Sequence, residues 1–305
     1  MTELNLRQLR VFEAAAVAAS HADAAETLGL SQPAVSMHLR QLEADLQVAL
    51  FSGRGRTRRL TDEGTELLRH ARNILAQVQA AEVALSARHG STRGQLHLGV
   101  VPTANYFAPS LMMAFRERFP DVTLRLTVDG RDAILDMLHD HRIDLAIGGY
   151  PPSEADIEAE AFARHPHCIV AATGHPLTRR RRLQWSDLAD EPFIFREPGS
   201  ATRQFLEHLL TSQSLRMKIG IELTGNDTVR QAVMAGMGLT FMSAHVFQTE
   251  LAAGLVSILD LQGMPKELDW CVLHRRDSVL SGVTASFREF VIERGAALIA
   301  CKATV

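Results

Sequence analysis

Cysteine is scarce in this chain, three in 305 residues, and Cys168, Cys271 and Cys301 are dispersed with no CxxC spacing to hold zinc or cycle as a dithiol. That pattern suits a reducing compartment. No apolar run reaches the roughly eighteen residues a membrane span requires, and the start MTELNLRQLR mixes charges instead of setting an apolar segment behind a basic one. No membrane association and no export signal are therefore expected, and the cytoplasm is the expected location. Catalytic signatures are also missing: there is no nucleophile elbow, Walker loop, HExxH or GxGxxG. An enzyme is not expected, nor a cofactor.

What is present is enough chain, 46% of it apolar, for two or three separate cores. The formal net charge of -3 would argue against a nucleic-acid binder if it were evenly spread. It is not, because Arg54, Arg56, Arg58 and Arg59 sit close together with no acid among them.

The first segment reads as helices. From Asn5 to about Ala19, Leu6, Leu9, Phe12, Ala16 and Val17 recur at the spacing of one buried helical face. Ser20 offers an N-cap with Asp23 three residues on, and Gly29 ends the short helix that follows, as suits a left-handed turn residue. Ser31 caps the next helix and Pro33 stands in its first turn. This helix buries Val35, Leu39 and Leu42 and shows Gln32, Ser36, His38 and Arg40, side chains able to pair with base edges and phosphates. The Gly-Arg alternation between Phe51 and Leu60 suits a two-stranded wing whose Arg54, Arg56 and Arg58 lie along a phosphate backbone. A helical hairpin with a solvated basic loop is the plainer alternative.

The stretch SHADAAETLGLSQPAVSMHLRQLEADLQVALFSGRGRTRRLTDEG, from Ser20 to Gly64, resembles the DNA-binding motif of LysR-type transcriptional regulators. Its Ala24-Ala25 pair, Ser31-Gln32-Pro33 start, Gln41-Leu42-Glu43 end, Leu50-Phe51 and Leu60-Thr61 carry the match, while Met37 departs from the polar or basic residue common there. The resemblance implies an α/β multidomain chain: an N-terminal winged helix-turn-helix, a long linker helix and a C-terminal two-lobed, periplasmic-binding-protein-like domain. It implies a double-stranded DNA operator, a small-molecule effector and a homodimer or homotetramer. RNA polymerase is the further partner such a role admits.

After Thr61, the residues Leu67, Ala71, Ile74, Val78, Ala81 and Leu85 alternate at four and three, an a/d seam of nearly three heptads. It can pair two copies or pack on its own domain. RHGSTRG, Arg88 to Gly94, reads as a hinge. From Gln95 strands and helices alternate, as in a parallel sheet with crossover helices, whose ligands bind beyond the carboxyl ends of the strands. The expected organisation is 1–61 DNA-binding, 62–90 linker, 95–164 with 268–305 as one lobe, and 165–267 as the other; the return of the chain to the first lobe is implied by the resemblance.

Three loops are expected to face the cleft: Pro102-Thr103-Ala104-Asn105, then Ser200 with Thr202 and Arg203, then Asn226-Asp227, with Arg131 adding a cation. Hydroxyls, amides and a guanidinium at helix starts suit a carboxylate or phosphate, although each loop alone reads equally well as ordinary N-capping. Thr103 to Pro109, Arg131, Gly199-Ser200 and Gln231 to Gly236 look most similar to regulators of Calvin-cycle carbon-fixation operons, which implies a phosphorylated sugar or nucleotide as effector. A regulator of another operon with an aromatic or carboxylate effector is the alternative within the family. A solute-binding protein is the alternative outside it, disfavoured by the missing export signal. His165 and His167 beside Cys168 invite a metal, but two histidines with no third ligand nearby do not make a site, and no metal is expected. The run Thr178 to Arg182 reads as a solvated loop.

Overall fold

A computed structural model describes residues 4–53, 58–87, 94–149, 156–212, 217–278, 280 and 282–300, excluding the side chains of 79, 80 and 82–87. The chain divides into two compact units, residues 1–91 and, apart from two short segments, the remainder from 92.

The first unit begins with α1 (Leu6–Val17), capped by Asn5 and Gln8 in a reciprocal box. Its buried stripe is Gln8, Leu9, Val11, Phe12 and Ala15, which corrects the expected face: Leu6 and Val17 are exposed. The alanines at 14 to 16 can close either face, so periodicity alone could not choose. Helix α2 (His21–Leu28) starts at the Ser20 cap and ends at Gly29 in the left-handed region with φ 62°. Helix α3 (Gln32–Leu46) takes its cap from Ser31, carries Pro33 in its first turn and buries Val35, Leu39 and Leu42. It runs three residues past Glu43, to a left-handed Gln47.

Strands β1 (Phe51–Ser52) and β2 (Arg59–Leu60) pair as the antiparallel base of a wing. Thr61 Oγ1 accepts the Gly64 amide and caps α4 (Asp62–Ala87). Gly64 is forced: a Cβ there would stand 2.1 Å from the Leu50 carbonyl oxygen. Leu68 and Ala71 of α4 are buried in the core formed by α1 to α3, with Leu67 and Leu75 packed against it. The expected a/d seam is therefore divided. Leu67 and Ala71 serve their own domain, Ile74 is 41% exposed, Val78 is half-buried and Ala81 is exposed. The Leu85 side chain lies outside the described residues.

The second unit is one continuous sheet. Parallel β3 (Gly94–Val100), β4 (Val122–Val128) and β5 (Leu145–Gly148) alternate with α5 (Ala108–Arg118) and α6 (Arg131–His139). Two long strands, β6 (Ile157–Ala172) and β11 (Lys266–Arg275), run antiparallel to each other. At one end β11 pairs β5; toward the other, β6 pairs β9 (Leu239–Ser243). Parallel to β9 lie β7 (Phe193–Arg196) and β8 (Ile219–Leu223), with α7 (Ala201–Ser212) and α8 (Asn226–Met234) as crossovers. A short α9 (Gln248–Ala252) and β10 (Val256–Ile258), neither anticipated, complete this half. Helix α10 (Gly282–Leu298) then buries Phe287, Phe290 and Val291, and Phe287 and Phe290 meet Phe115 of α5 with ring centroids 5.0 Å and 5.5 Å away.

The expected lobe boundaries at 164/165 and 267/268 fall inside β6 and β11, and CIVAA is the end of β6. Two strands are thus common to both halves. A register shift between Trp270 and Cys271 leaves Phe162 as the extra residue of a bulge, and it fills the space beside Gly295, where a Cβ would stand 2.6 Å from its ring.

Candidate functional site

Two surfaces carry chemistry. On the first unit, α3 presents Gln32 and Arg40 exposed and Ser36 and His38 partly so, with Met37 61% exposed among them. Ser36 Oγ lies 3.1 Å from His21 Nδ1, which ties α3 to the start of α2. Burial, and then the nearby Arg58 charge, lower the His21 pKa from its ordinary value. Glu43 Oε1 accepts the Leu50 amide at 2.8 Å and the Phe51 amide at 3.3 Å, holding the entry to the wing against α3. This geometry presents a helix for a major groove beside a strand pair for a backbone.

Arg58 departs from expectation. Its guanidinium lies over the Phe51 ring, 4.2 Å from the centroid, and donates to the Ala15 carbonyl of α1. Burial lowers its pKa, and the wing is thereby fastened to the domain. Arg58 is thus turned inward, while Arg59 is exposed. Arg54 and Arg56 lie outside the described residues.

The second surface is a cavity of about 700 Å3 in the second unit, the expected sensing unit. Residues Val101 to Thr103 reach it from the carboxyl end of β3, Gly130-Arg131 after β4, Gly148-Gly149 from β5, and Arg196 to Thr202 after β7. Strand ends of this kind leave side chains and backbone amides unclaimed by the sheet, and here α6 and α7 begin on the same space. The first-turn N–H groups of α7 have no intrahelical carbonyl, and Ser200 and the buried Thr202 stand beside them. Of the expected site residues, Pro102, Thr103, Arg131, Ser200 and Thr202 are brought together.

The others are not. Ala104 is fully buried and Asn105 exposed, in a turn just past the cavity. Arg203 points away: Nε donates to Glu207 at 2.7 Å, Nη1 donates to Glu222 and, at 2.9 Å, to the Arg196 carbonyl. Those two carboxylates raise its pKa further. Asn226 is buried and accepts from Arg196, and Asp227 accepts from Tyr106 Oη at 2.8 Å and pairs with Arg230 at 3.1 Å. The third loop is therefore drawn into internal contacts.

The guanidinium that sequence reasoning missed is Arg196, 7% exposed at the cavity wall. Glu197 holds it with two bonds of 2.7 Å and 2.6 Å, and that pairing lowers the Glu197 pKa. His165 and His167 of β6 form part of the lining, together with Leu268 of β11. His165 stacks on Trp270 with centroids 3.7 Å apart, and His167 on Phe241 at 5.3 Å. Burial pushes His167 down to about 4 and His165 well below its ordinary range, so both rings are neutral near pH 7. Their i, i+2 spacing on a strand was the available signal, and it shows only that they share a face.

Elsewhere, Cys168 and Cys271 are buried, and burial pushes the Cys271 thiol up to about 11. Arg179 to Arg182 are exposed, with Arg180 bound to Asp187 at 2.6 Å. No described helix is long and apolar enough to cross a membrane.

Residues 6–65 match the bacterial regulatory helix-turn-helix protein family of the lysR type, and residues 89–296 match the LysR substrate binding domain. Among known proteins, the RuBisCO operon transcriptional regulator of Allochromatium vinosum is 40% identical over 293 residues, 96% of this chain and 97% of that one. The HTH-type transcriptional regulator CbbR of Rhodospirillum rubrum is 43% identical over 287 residues, 94% and 95% of the two chains. The regulatory domain of Synechocystis CcmR, solved in complex with 2-PG, superposes with a TM-score of 0.62 at 31% identity, over 66% of this chain and 97% of that one. With the helix-turn-helix, its wing and the two-stranded crossover of the sensing unit all in place, this chain belongs to the LysR family of DNA-binding transcriptional regulators.

Proposed function

We propose that this regulator acts on a carbon-fixation operon and is switched by a small phosphorylated metabolite held in the cavity at the ends of β3, β4, β5 and β7. One observation carries this reading. Thr103, Arg131, Ser200 and Thr202, with the start of α7, line a single space large enough for a metabolite. Backbone N–H groups at a helix start and a guanidinium are the groups that bind phosphate or carboxylate best. The RuBisCO operon regulator and CbbR supply the operon class, and the CcmR complex supplies 2-phosphoglycolate as a ligand of the right kind. The protein works in the cytoplasm, without catalysis or a cofactor, as an oligomer paired in part through Ile74 and Val78 of α4.

Gln32, Ser36, His38 and Arg40 read the operator bases, while Arg54 and Arg56 add affinity through phosphates. A ligand that binds two arrangements of the sensing unit unequally shifts the equilibrium between them, and with it the DNA-binding heads. The test combines titration calorimetry of 2-phosphoglycolate with fluorescence anisotropy on the promoter upstream of the RuBisCO genes of the source genome. Binding of the ligand, and a change in promoter affinity or footprint in its presence, are expected. Absence of ligand binding, or promoter affinity no greater than for random DNA at matched salt, overturns the reading.

A further inference from the structure

The floor of the cavity differs in chemistry from its rim. The rim offers donors and positive charge, whereas the floor is built from His165 and His167 among aromatic rings. Both histidines are more than nine-tenths buried, at 4% and 3% exposure. Neither ring nitrogen of His165 reaches hydrogen-bond geometry with a protein group among the described residues, although the Gly149 backbone lies against Nδ1. Unpaired buried polar atoms on a cavity wall are expected where a polar guest completes them.

The tautomer of His167 follows from its one protein bond. Nδ1 lies 3.3 Å from the His165 carbonyl oxygen, and a carbonyl can only accept, so Nδ1 carries the proton and donates. Phe205 meets the ring edge-on at 5.2 Å, Phe241 covers a face, and among the described residues no carboxylate is bonded to it. With the ring neutral, Nε2 keeps its lone pair and can only accept. A fully ionised phosphate or carboxylate oxygen cannot fill that role, because it too only accepts.

The geometry points to His167 Nε2 as the acceptor for a hydroxyl on the effector, so that the cavity selects a phosphorylated hydroxy acid or sugar over the same anion without the hydroxyl. The inference rests on the anion-binding reading above and deepens it. The rim neutralises the ligand's charge and so still admits 2-phosphoglycolate, whose only hydroxyl is esterified; the floor adds affinity for an anion that carries a free hydroxyl. Two histidines with this spacing could also suggest a metal. Among the described residues, however, the group of three close ligand-type side chains is Glu158, Glu160 and His274, and Arg288 already bonds Glu160 there.

The experiment uses two probes that differ by one group: D-3-phosphoglycerate and 3-phosphooxypropionate, which lacks its hydroxyl. Calorimetry is run on the full-length wild type, on His167→Phe and on His167→Gln. The wild type should favour the hydroxylated ligand by about ten-fold, the effect of one well-made hydrogen bond in a buried site. In His167→Phe the ratio should fall to near one while affinity for 3-phosphooxypropionate holds. In His167→Gln the preference should persist, because the amide oxygen accepts in place of Nε2.

Equal affinity of the wild type for both probes overturns this inference and leaves the anion site standing. Binding of neither probe overturns both. A preference unchanged in His167→Phe, or lost equally in His167→Gln, places the selection elsewhere and also overturns it. Should His167→Phe fail to fold, as circular dichroism would show, His167→Leu takes its place as the variant without an acceptor.

Discussion

Tyr106 Oη donates to Asp227 Oδ1 across 2.8 Å, joining the turn that follows β3 to the first turn of α8 and so one half of the sensing unit to the other. Arg230 backs the pair, 3.1 Å from Asp227 and 5.5 Å from the centre of the Tyr106 ring. Burial, and then the Asp227 bond, raise the phenol above its ordinary pKa, so it remains a donor well into alkaline pH. Asp227 is largely exposed, which limits the strength of the bond. A double-mutant cycle of Tyr106→Phe and Asp227→Asn should give a coupling of about 1 kcal/mol in unfolding free energy. Additive effects of the two substitutions would show that the bond contributes nothing in solution.

Arg203 and Arg131 should separate stability from response. Arg203 braces the Arg196 carbonyl and two carboxylates away from the cavity, whereas Arg131 lines it. Arg203→Ala is expected to lower stability by up to about 1 kcal/mol, since its ion pairs are solvent-screened, with effector affinity changed less than three-fold or so. Arg131→Ala should weaken an anionic effector by about ten-fold or more. The reverse pattern in calorimetry and thermal melts would mean that the roles have been exchanged.

Much of the DNA-binding unit was legible because its signals are local. Ser20, Ser31, Gly29 and Pro33 each act within one turn of their own helix, and each does in the structure what its chemistry dictates. Arg58 was misplaced because what draws it inward, the Ala15 carbonyl and the Phe51 ring, comes partly from another helix. The cavity divides in the same way. Thr103, Ser200 and Thr202 sit at strand-to-helix junctions and could be found from the alternation of elements. His165 and His167 could not, since their exposure to the cavity depends on the pairing of β6 with β11, residues about a hundred apart in the chain, and Arg196 is held at the wall by Glu197 and by Asn226 of α8. The Asn226-Asp227 loop has the same local chemistry as the others and was lost to Arg196 and Tyr106, which no local pattern announces.

Ile74 tests assembly. It is 41% exposed on α4, one turn beyond Ala71, where the helix leaves its own core, and Val78 follows on the same face. An apolar edge of this kind is stabilised by pairing with a second copy. Ile74→Asp should dissociate that pairing by placing an unpaired carboxylate in an apolar contact, and at micromolar protein the sedimenting species should shrink at least by half. The melting temperature of the isolated chain should barely move, because Ile74 is not part of the domain core. An unchanged oligomer would assign assembly to another surface.

The buried histidines predict how stability varies with pH. Burial holds both His167 and His245 at about 4 in the folded chain, against an ordinary value of 6.5. A lowered folded pKa means that the unfolded chain takes up protons first as the pH falls. The full contribution is therefore present above pH 6.5 and is lost as the pH drops toward 4, at up to about 1.4 kcal/mol per pH unit for each histidine. Both tryptophans, Trp185 and Trp270, lie in the sensing unit, so their fluorescence during urea unfolding reports that unit alone. Its unfolding free energy should be flat from pH 8 to 7 and fall by about 3 kcal/mol between pH 6.5 and 5 from these two histidines, with a further fall from His165, which burial also lowers. His167→Gln should remove roughly a third of that slope, since an amide does not titrate. A stability that stays level down to pH 5 would show that these imidazoles reach water, or a partner, in the folded protein.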